Sequence, residues 1–200
     1  LPLMVLISLK MISRKLVPKL FIAFVLGGLQ GLLGWYMVKS GLVDIPRVSH
    51  FRLAAHLLLA MFLLAYLFWF LLDVCQVQTE SVSRTMRRWL VIVAVLFGIQ
   101  TMYGAFVAGL RAGLGFNTFP LMDGRFMSEA AMMMSPLWVN FTENGAMVQF
   151  IHRWIAVLLS CATIAGVAVV KGSSARLFGG WLLLLILLAI QFLLGVMTLL

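Results

Sequence analysis

Residues 53–72 read LAAHLLLAMFLLAYLFWFLL, an apolar run that contains a single basic side chain, His56. An α-helix needs about 20 mostly apolar residues to cross the hydrocarbon core of a bilayer. Similar runs extend over roughly 20–38, 89–110, 147–170 and 177–200. The sequence therefore predicts an all-α fold, a polytopic membrane helix bundle with about five full spans in this chain.

The composition supports the membrane assignment. Hydrophobic residues make up 64% of the chain and charged residues 10%, which excludes an ordinary soluble domain. Residues 1–9 are apolar but too short to span, so we expect them to be the end of an earlier helix. Because the chain opens on Leu1 and stops within an apolar run, we interpret residues 1–200 as an internal piece of one larger membrane domain.

The net charge of +9 describes topology rather than a nucleic-acid partner. Basic residues concentrate on alternate connections of the predicted bundle, namely Lys10, Arg14, Lys15, Lys19, Arg84, Arg87, Arg88, Lys171 and Arg176. The opposite connections are nearly balanced in charge. Loops rich in Lys and Arg stay on the cytoplasmic side, or on the matrix side in a mitochondrion. This pattern orients the spans and predicts that both His56 and His152 lie near the outer face.

The two histidines are the main candidate functional residues. A histidine inside a membrane span is rare and indicates a functional site. Arg52 precedes His56 by one helical turn, and Arg153 follows His152 directly. Imidazole is a ligand for iron, and guanidinium pairs with carboxylates, so both residue types suit a haem with its iron and two propionates. The alternatives are a polar histidine that bonds between helices, and an Arg153 that anchors at the interface.

A short motif recurs on the helices that run outward. The spacing Gln-x-x-x-Gly occurs at Gln30 and Gly34, at Gln100 and Gly104, and at Gln191 and Gly195. Residues four apart share a helix face, so the motif favours close helix packing, with room for a flat cofactor as a sharper interpretation. The 161-residue shift between Gln30 and Gln191 predicts two similar halves. It also predicts a histidine near position 217 and another near position −9.

The remaining polar and aromatic residues of the outer side receive simpler predictions. The long connection 111–146 is rich in Gly, Pro and apolar residues, so we expect it to lie on the outer membrane surface and to roof a site. We expect interfacial or solvated roles for Trp35, Tyr36, His50, Asp123 and Glu143.

Several stretches closely resemble the haem A synthase family, in its mitochondrial and alphaproteobacterial branch. They are GLQGLLGWYMVKSG at 28–41, PRVS at 46–49, RLAAHL at 52–57, YGAFVAGLRAG at 103–113, FNTFPLM at 116–122 and MVQFIHR at 147–153. Together they extend over nearly the whole chain.

The resemblance implies an eight-helix protein built of two four-helix halves related by pseudo-twofold symmetry. Residues 1–88 would be the remainder of the N-terminal half, and residues 89–200 the first three helices of the C-terminal half. Such enzymes oxidise the C8 methyl group of haem O to a formyl group, which gives haem A for cytochrome oxidase. The membrane would be the bacterial plasma membrane or the mitochondrial inner membrane.

The resemblance also implies roles for individual residues. His56 would bind the iron of the substrate, haem O, and His152 the iron of a resident haem b, with Arg52 and Arg153 beside them. The second histidine of each site and a family glutamate would lie outside these 200 residues, so this segment alone is not expected to turn over. Expected partners are haem O and haem A, the lipid bilayer, an electron donor, haem O synthase and, as a further option, a second copy of the chain.

Three other functions share parts of this pattern. A di-haem membrane cytochrome that only passes electrons would use the same histidines without modifying haem. A transporter with proton-relaying histidines would bind no haem and would place its site near mid-membrane. A structural assembly subunit would tolerate the loss of both histidines.

Overall fold

The chain forms helices separated by short connections, except for one long connection on the outer side. The computed structural model describes residues 2–9, 11–39 and 48–200. The helices are α1 (Pro2–Ser8), α2 (Val17–Lys39), α3 (His50–Val74), α4 (Arg84–Gly109), α5 (Asn140–Glu143), α6 (Gly145–Val170) and α7 (Ala175–Leu199). Within the described residues, five of them are long and apolar enough to cross a membrane: α2, α3, α4, α6 and α7.

The five predicted spans are confirmed, and the helices extend beyond the apolar runs at their N-termini. Three of the starts are set by polar caps. Ser83 accepts a hydrogen bond from the Met86 backbone N–H, Asn144 accepts one from Ala146, and Ser174 accepts one from Leu177. A capping side chain determines where a helix begins, whereas hydropathy marks only the portion that lies in the bilayer. The helices are therefore longer than the hydrophobic pattern alone predicts.

Each spanning helix packs against the next one along the chain, and α6 lies at the centre of the part described. At the basic end of the bundle, α4, α6 and α7 share a core of Met86, Val93, Leu159, Val170 and Trp181. At the outer end, α3, α4 and α6 share Ala54, Ala105, Phe106 and Val148. A third cluster joins the start of α6 to the long outer connection. Because α6 contributes to all three cores, its neighbours determine the shape of the bundle.

Two tryptophans fix α6 between α4 and α7. The Trp89 indole N–H donates to the Ala162 carbonyl and the Trp181 indole N–H donates to the Thr163 carbonyl, both at 2.9 Å. Gly166 lies under both rings, where a Cβ atom would be only 2.0 Å from Trp181 Cζ2. The absence of a side chain at this position is what lets the three helices approach so closely.

The long outer connection is ordered and packs on α6. Short 3-10 turns occur at Ala112–Leu114, Glu129–Met132 and Leu137–Val139. Asn140 is fully buried, and its side chain bonds the backbone of Met134 and Leu137. Asn144 bonds the Ala130 carbonyl and the Asn140 side chain. Buried amides thus replace regular secondary structure as the source of order in this segment.

The helices at the two sides of the bundle expose apolar side chains. No residue of α2 is buried, and in α7 only Trp181 is. In a bilayer such surfaces contact acyl chains or further helices. Some sequence features lie outside the described residues, namely Lys10, Asp44, Arg47 and the adjoining ends of the motifs 28–41 and 46–49.

Candidate functional site

His56 lies between α2 and α3, against the Gln-x-x-x-Gly motif of α2. The side-chain nitrogen Nε2 of Gln30 is 3.3 Å from Nε2 of His56 and donates to the His56 backbone carbonyl at 3.2 Å. Gly34, one turn further along α2, faces the ring, since a Cβ atom there would be 3.2 Å from His56 Cε1. The glutamine contacts Nε2 of the imidazole, and the glycine makes room for the adjacent Cε1 atom.

His152 has the same surroundings between α4 and α6. Nε2 of Gln100 is 3.3 Å from Nε2 of His152, and a Cβ atom on Gly104 would be 3.3 Å from His152 Cε1. We call each Gln, Gly and His set a histidine seat: the first seat is Gln30, Gly34 and His56, and the second is Gln100, Gly104 and His152. The motif and the histidines are both visible in the sequence, but their contact is not.

Both seats leave a ring nitrogen without a hydrogen-bond partner. Nδ1 of His56 and Nδ1 of His152 are buried and unpaired in the described part of the chain, as are the Oε1 atoms of Gln30 and Gln100. Buried polar atoms are nearly always paired, so an unpaired set that occurs twice indicates a functional role.

The donor set fits haem better than a metal ion held by protein alone. The described residues contain no group of three or more His, Cys, Asp or Glu side chains that could enclose a metal. A haem iron receives four ligands from its porphyrin and needs only axial ligands from the protein. One imidazole per helix pair could supply one such ligand to each of two haems.

The third copy of the motif lies near the outer end of α7. A Cβ atom on Gly195 would meet nothing within 4 Å. In both seats the histidine comes from the next long helix along the chain. The prediction of a histidine near position 217 follows the same order and stays a prediction.

Arg52 lies one turn from His56, on its outer side. Its guanidinium stacks over the Tyr36 ring at 3.9 Å from the centroid, and Nη1 donates to the Tyr36 carbonyl at 3.3 Å. None of the ion pairs formed in the described part of the chain involves Arg52. The side chain is therefore held in place while its charge has no carboxylate partner there, which suits an anionic group.

Arg153 was expected beside a haem or at the membrane interface, because it follows His152, but its side chain lies against the outer connection. It is 7% exposed and holds three carbonyls of the outer connection. Nη1 donates to Thr118 and Leu121 at 2.6 and 3.1 Å, and Nη2 donates to Phe116 at 2.8 Å. Gln149, one turn earlier on α6, also donates to Phe116, at 3.0 Å. The two side chains fasten residues 116–121, here called the outer strap, onto α6.

Replacing Arg153 with leucine is expected to release the outer strap. Hydrogen bonds with a charged donor contribute about 1.5–3 kcal/mol each, so hydrogen-exchange protection should fall by more than about tenfold at the bonded amides beside the strap, Met122 and Asp123. Exchange measured by mass spectrometry on peptides that cover 116–125 gives this value. Arg52→Leu is the matched control, since Arg52 does not touch the strap. Unchanged protection in the Arg153 variant would remove the strap-holding role.

The expected solvated role for His50 was wrong. Its side chain is 8% exposed, and its ring packs edge-on against Phe106 with centroids 5.2 Å apart. Gly109 allows this burial, because a Cβ atom there would be 2.6 Å from His50 Cβ. His50 Nε2 is 3.6 Å from Glu143 Oε1, so the start of α3 and the end of α5 meet at this pair. The sequence signal was Gly109 at the end of α4, opposite the start of α3.

The other outer residues lie where the sequence analysis expected. Trp35 and Tyr36 are exposed near the outer end of α2, as aromatic belt residues are. Asp123 forms an exposed two-residue turn with Gly124, closed by paired backbone hydrogen bonds between Met122 and Arg125. These residues do not contact either histidine seat in any recorded hydrogen bond or ion pair among the described residues.

Comparison with known proteins gives a consistent match along the chain. Residues 1–200 match a family model described as a cytochrome oxidase assembly protein. The chain is 46% identical over 192 residues to a Heme A synthase of Wolbachia pipientis wMel, covering 94% of this chain and 53% of that protein. It is 45% identical over 199 residues to a Heme A synthase of Nitrosospira multiformis, covering 96% and 55%. The chain thus spans about half the length of the curated relatives it matches.

Proposed function

Because the chain belongs to the family of cytochrome oxidase assembly proteins, we propose that it is part of a haem A synthase. The reaction is oxidation of the C8 methyl group of haem O to a formyl group, which gives haem A for cytochrome oxidase. The observation that carries the proposal is the pair of equal histidine seats, joined to relatives named Heme A synthase. Two haem ligands at matching places suit an enzyme that handles one haem as substrate and keeps another.

The two histidines have different roles in this proposal. His56 holds the iron of the substrate, haem O, and His152 holds the iron of a resident haem b. A haem bound at the second seat would supply a redox-active iron through which electrons can pass one at a time. Nδ1 of each imidazole is buried, which keeps water away from that side of the ring.

The two arginines have separate roles in this proposal. Arg52, stacked on Tyr36 and free of carboxylates among the described residues, pairs with a propionate of the haem at His56. For Arg153 the sequence left a propionate partner and an interfacial anchor open, and in this proposal it holds the outer strap on α6, next along the chain from His152.

The complete protein would contain two halves of similar structure. Because α4 begins at Arg84, the boundary expected between residues 88 and 89 would instead fall in the connection before α4, so that α4 belongs wholly to the second half. Each half would use two histidines for its haem. Gln191 and Gly195 would then receive the histidine predicted near position 217. The protein would act in the bacterial plasma membrane or the mitochondrial inner membrane, with haem O synthase and an electron donor as partners.

Expression of the intact gene in cells that make haem O but no haem A tests the proposal. We expect haem A to appear in haem extracts separated by chromatography and identified by mass, and to be missing with the empty vector. A di-haem electron carrier has the same two seats but would leave haem O unmodified. Protein that binds haem while the cells contain no haem A would therefore favour the electron carrier and overturn the proposed reaction.

A further inference from the structure

Gln30 contacts both the ring and the backbone carbonyl of His56, and the two contacts together determine where the ring carries its proton. We propose that Gln30 is a positioning residue that holds His56 in the Nδ1–H tautomer, with the lone pair on Nε2. The inference rests on the proposed role of His56 as a haem ligand. It concerns which ring nitrogen is free of a proton and so able to bind iron, not the oxidation of haem O.

The orientation of the Gln30 amide follows from its two contacts. Its Nε2 is 3.2 Å from the His56 backbone carbonyl oxygen, which can only accept a hydrogen bond. The same nitrogen is 3.3 Å from His56 Nε2. An amide NH2 group carries two hydrogens, so one can be donated to the carbonyl and the other to the ring. Exchanging the amide oxygen and nitrogen would place two oxygens against each other.

The tautomer of His56 follows from this donation. A neutral imidazole has one N–H and one acceptor nitrogen. Because Gln30 donates to Nε2, that nitrogen must be the acceptor, and the ring proton must be on Nδ1. Turning the ring over would bring Cε1 to the amide and lose the bond. The glutamine therefore selects both the proton position and the orientation of the ring.

The second seat repeats only part of this arrangement. Nε2 of Gln100 is 3.3 Å from His152 Nε2, the same distance as in the first seat, and Gly104 faces Cε1 of the ring at nearly the same distance as Gly34 does. Among the described residues, no hydrogen bond from Gln100 to the His152 backbone carbonyl fixes the orientation of the amide. The inference is therefore confined to His56.

The tautomer matters because a metal binds only a nitrogen without a proton. In metalloproteins the nitrogen that binds is set by the hydrogen bonding of the ring. A histidine held with its lone pair on Nε2 can exchange the glutamine N–H for iron without moving a proton. A histidine held as the Nε2–H tautomer has first to transfer that proton within an apolar environment, which slows and weakens binding.

Nitrogen-15 NMR of histidine-labelled protein tests the tautomer directly. The full-length gene product is prepared from haem-deficient cells, and the signals are assigned with His56→Ala and His152→Ala. We expect the His56 ring to show the Nδ1–H pattern in the parent protein. A predominant Nε2–H pattern at His56 would overturn the proposal.

A pair of substitutions separates tautomer control from packing. Glutamate has the shape of glutamine, but its carboxylate accepts and so demands Nε2–H, whereas leucine changes the shape and makes no hydrogen bond. At pH 8 we expect Gln30→Glu to weaken haem binding at the first seat by at least about tenfold, somewhat more than one neutral hydrogen bond is worth. Gln30→Leu should stay within about threefold of the parent. Titration with haem, followed by the Soret absorption band, measures both.

A packing role predicts the reverse order, with leucine more damaging than glutamate, and that result would overturn the proposal. Gln149→Glu is the control for a buried negative charge in this first-seat titration, since Gln149 is buried on α6 but bonds the Phe116 carbonyl and no residue of the first seat. If His56→Ala retains its haem, the proposed ligand role fails. If it loses the haem while the glutamine variants change nothing, only this inference fails.

Discussion

Replacing His56 with alanine is expected to remove one haem and leave the other, and His152→Ala is expected to do the opposite. Loss of an axial nitrogen should lower haem affinity at that seat by more than about 100-fold, since losing groups that merely support a ligand already lowers metal affinity by about 10–100-fold. Because the seats belong to different helix pairs, the effects should be independent. Haem A formation should fall below detection in both variants.

Haem content per protein and the Soret spectrum of each purified variant provide the measurement. His50→Ala is the matched control, because His50 is a still more buried histidine at the outer end of α3 but contacts neither glutamine motif. It should keep both haems. Two haems retained in His56→Ala or His152→Ala would show that the seats serve helix packing, the alternative that the sequence left open.

The spans and the two histidines could be predicted because each depends on local sequence. Hydrophobic runs of bilayer length require helices whatever their neighbours are. A histidine within such a run stands out, because placing a polar side chain in the membrane costs free energy. The Gln-x-x-x-Gly motif was also visible, because residues four apart share a helix face. That Gln30 would meet His56 was not, since the contact depends on the relative rotation and depth of α2 and α3.

The environments of His50 and Arg153 could not be predicted for the same reason. Both residues lie near helix ends, where sequence alone suggests solvent or lipid headgroups. His50 is buried because Gly109 on another helix lets it approach. Arg153 is buried because the outer strap folds back and presents three carbonyls to it. In both cases the partner comes from a distant part of the chain, and only the tertiary structure brings it there.

The largest effect on stability is expected from Gly166→Ala. The added Cβ atom would be 2.0 Å from Trp181 Cζ2 and 2.6 Å from Trp89 Nε1, inside both rings' van der Waals radii. Overpacking a dense core costs about 1–3 kcal/mol, and the two indole hydrogen bonds contribute about 0.5–1.5 kcal/mol each. Moving the rings away breaks the close packing and both indole hydrogen bonds. We therefore expect the free energy of unfolding to fall by about 3–5 kcal/mol, with a strongly reduced yield of folded protein.

Thermal unfolding of the purified protein in detergent measures the loss, and two further variants interpret it. Gly98→Ala adds the same methyl group on α4, where nothing lies within 4 Å, and should leave the unfolding temperature nearly unchanged. Adding Trp181→Leu to Gly166→Ala removes the closest ring and should restore part of the lost stability. Equal behaviour of the Gly166 and Gly98 variants would mean that α4, α6 and α7 are not held together at Gly166. Because α6 carries His152 and Arg153 as well as Gly166, its position between the two tryptophans also sets the second seat relative to the outer strap.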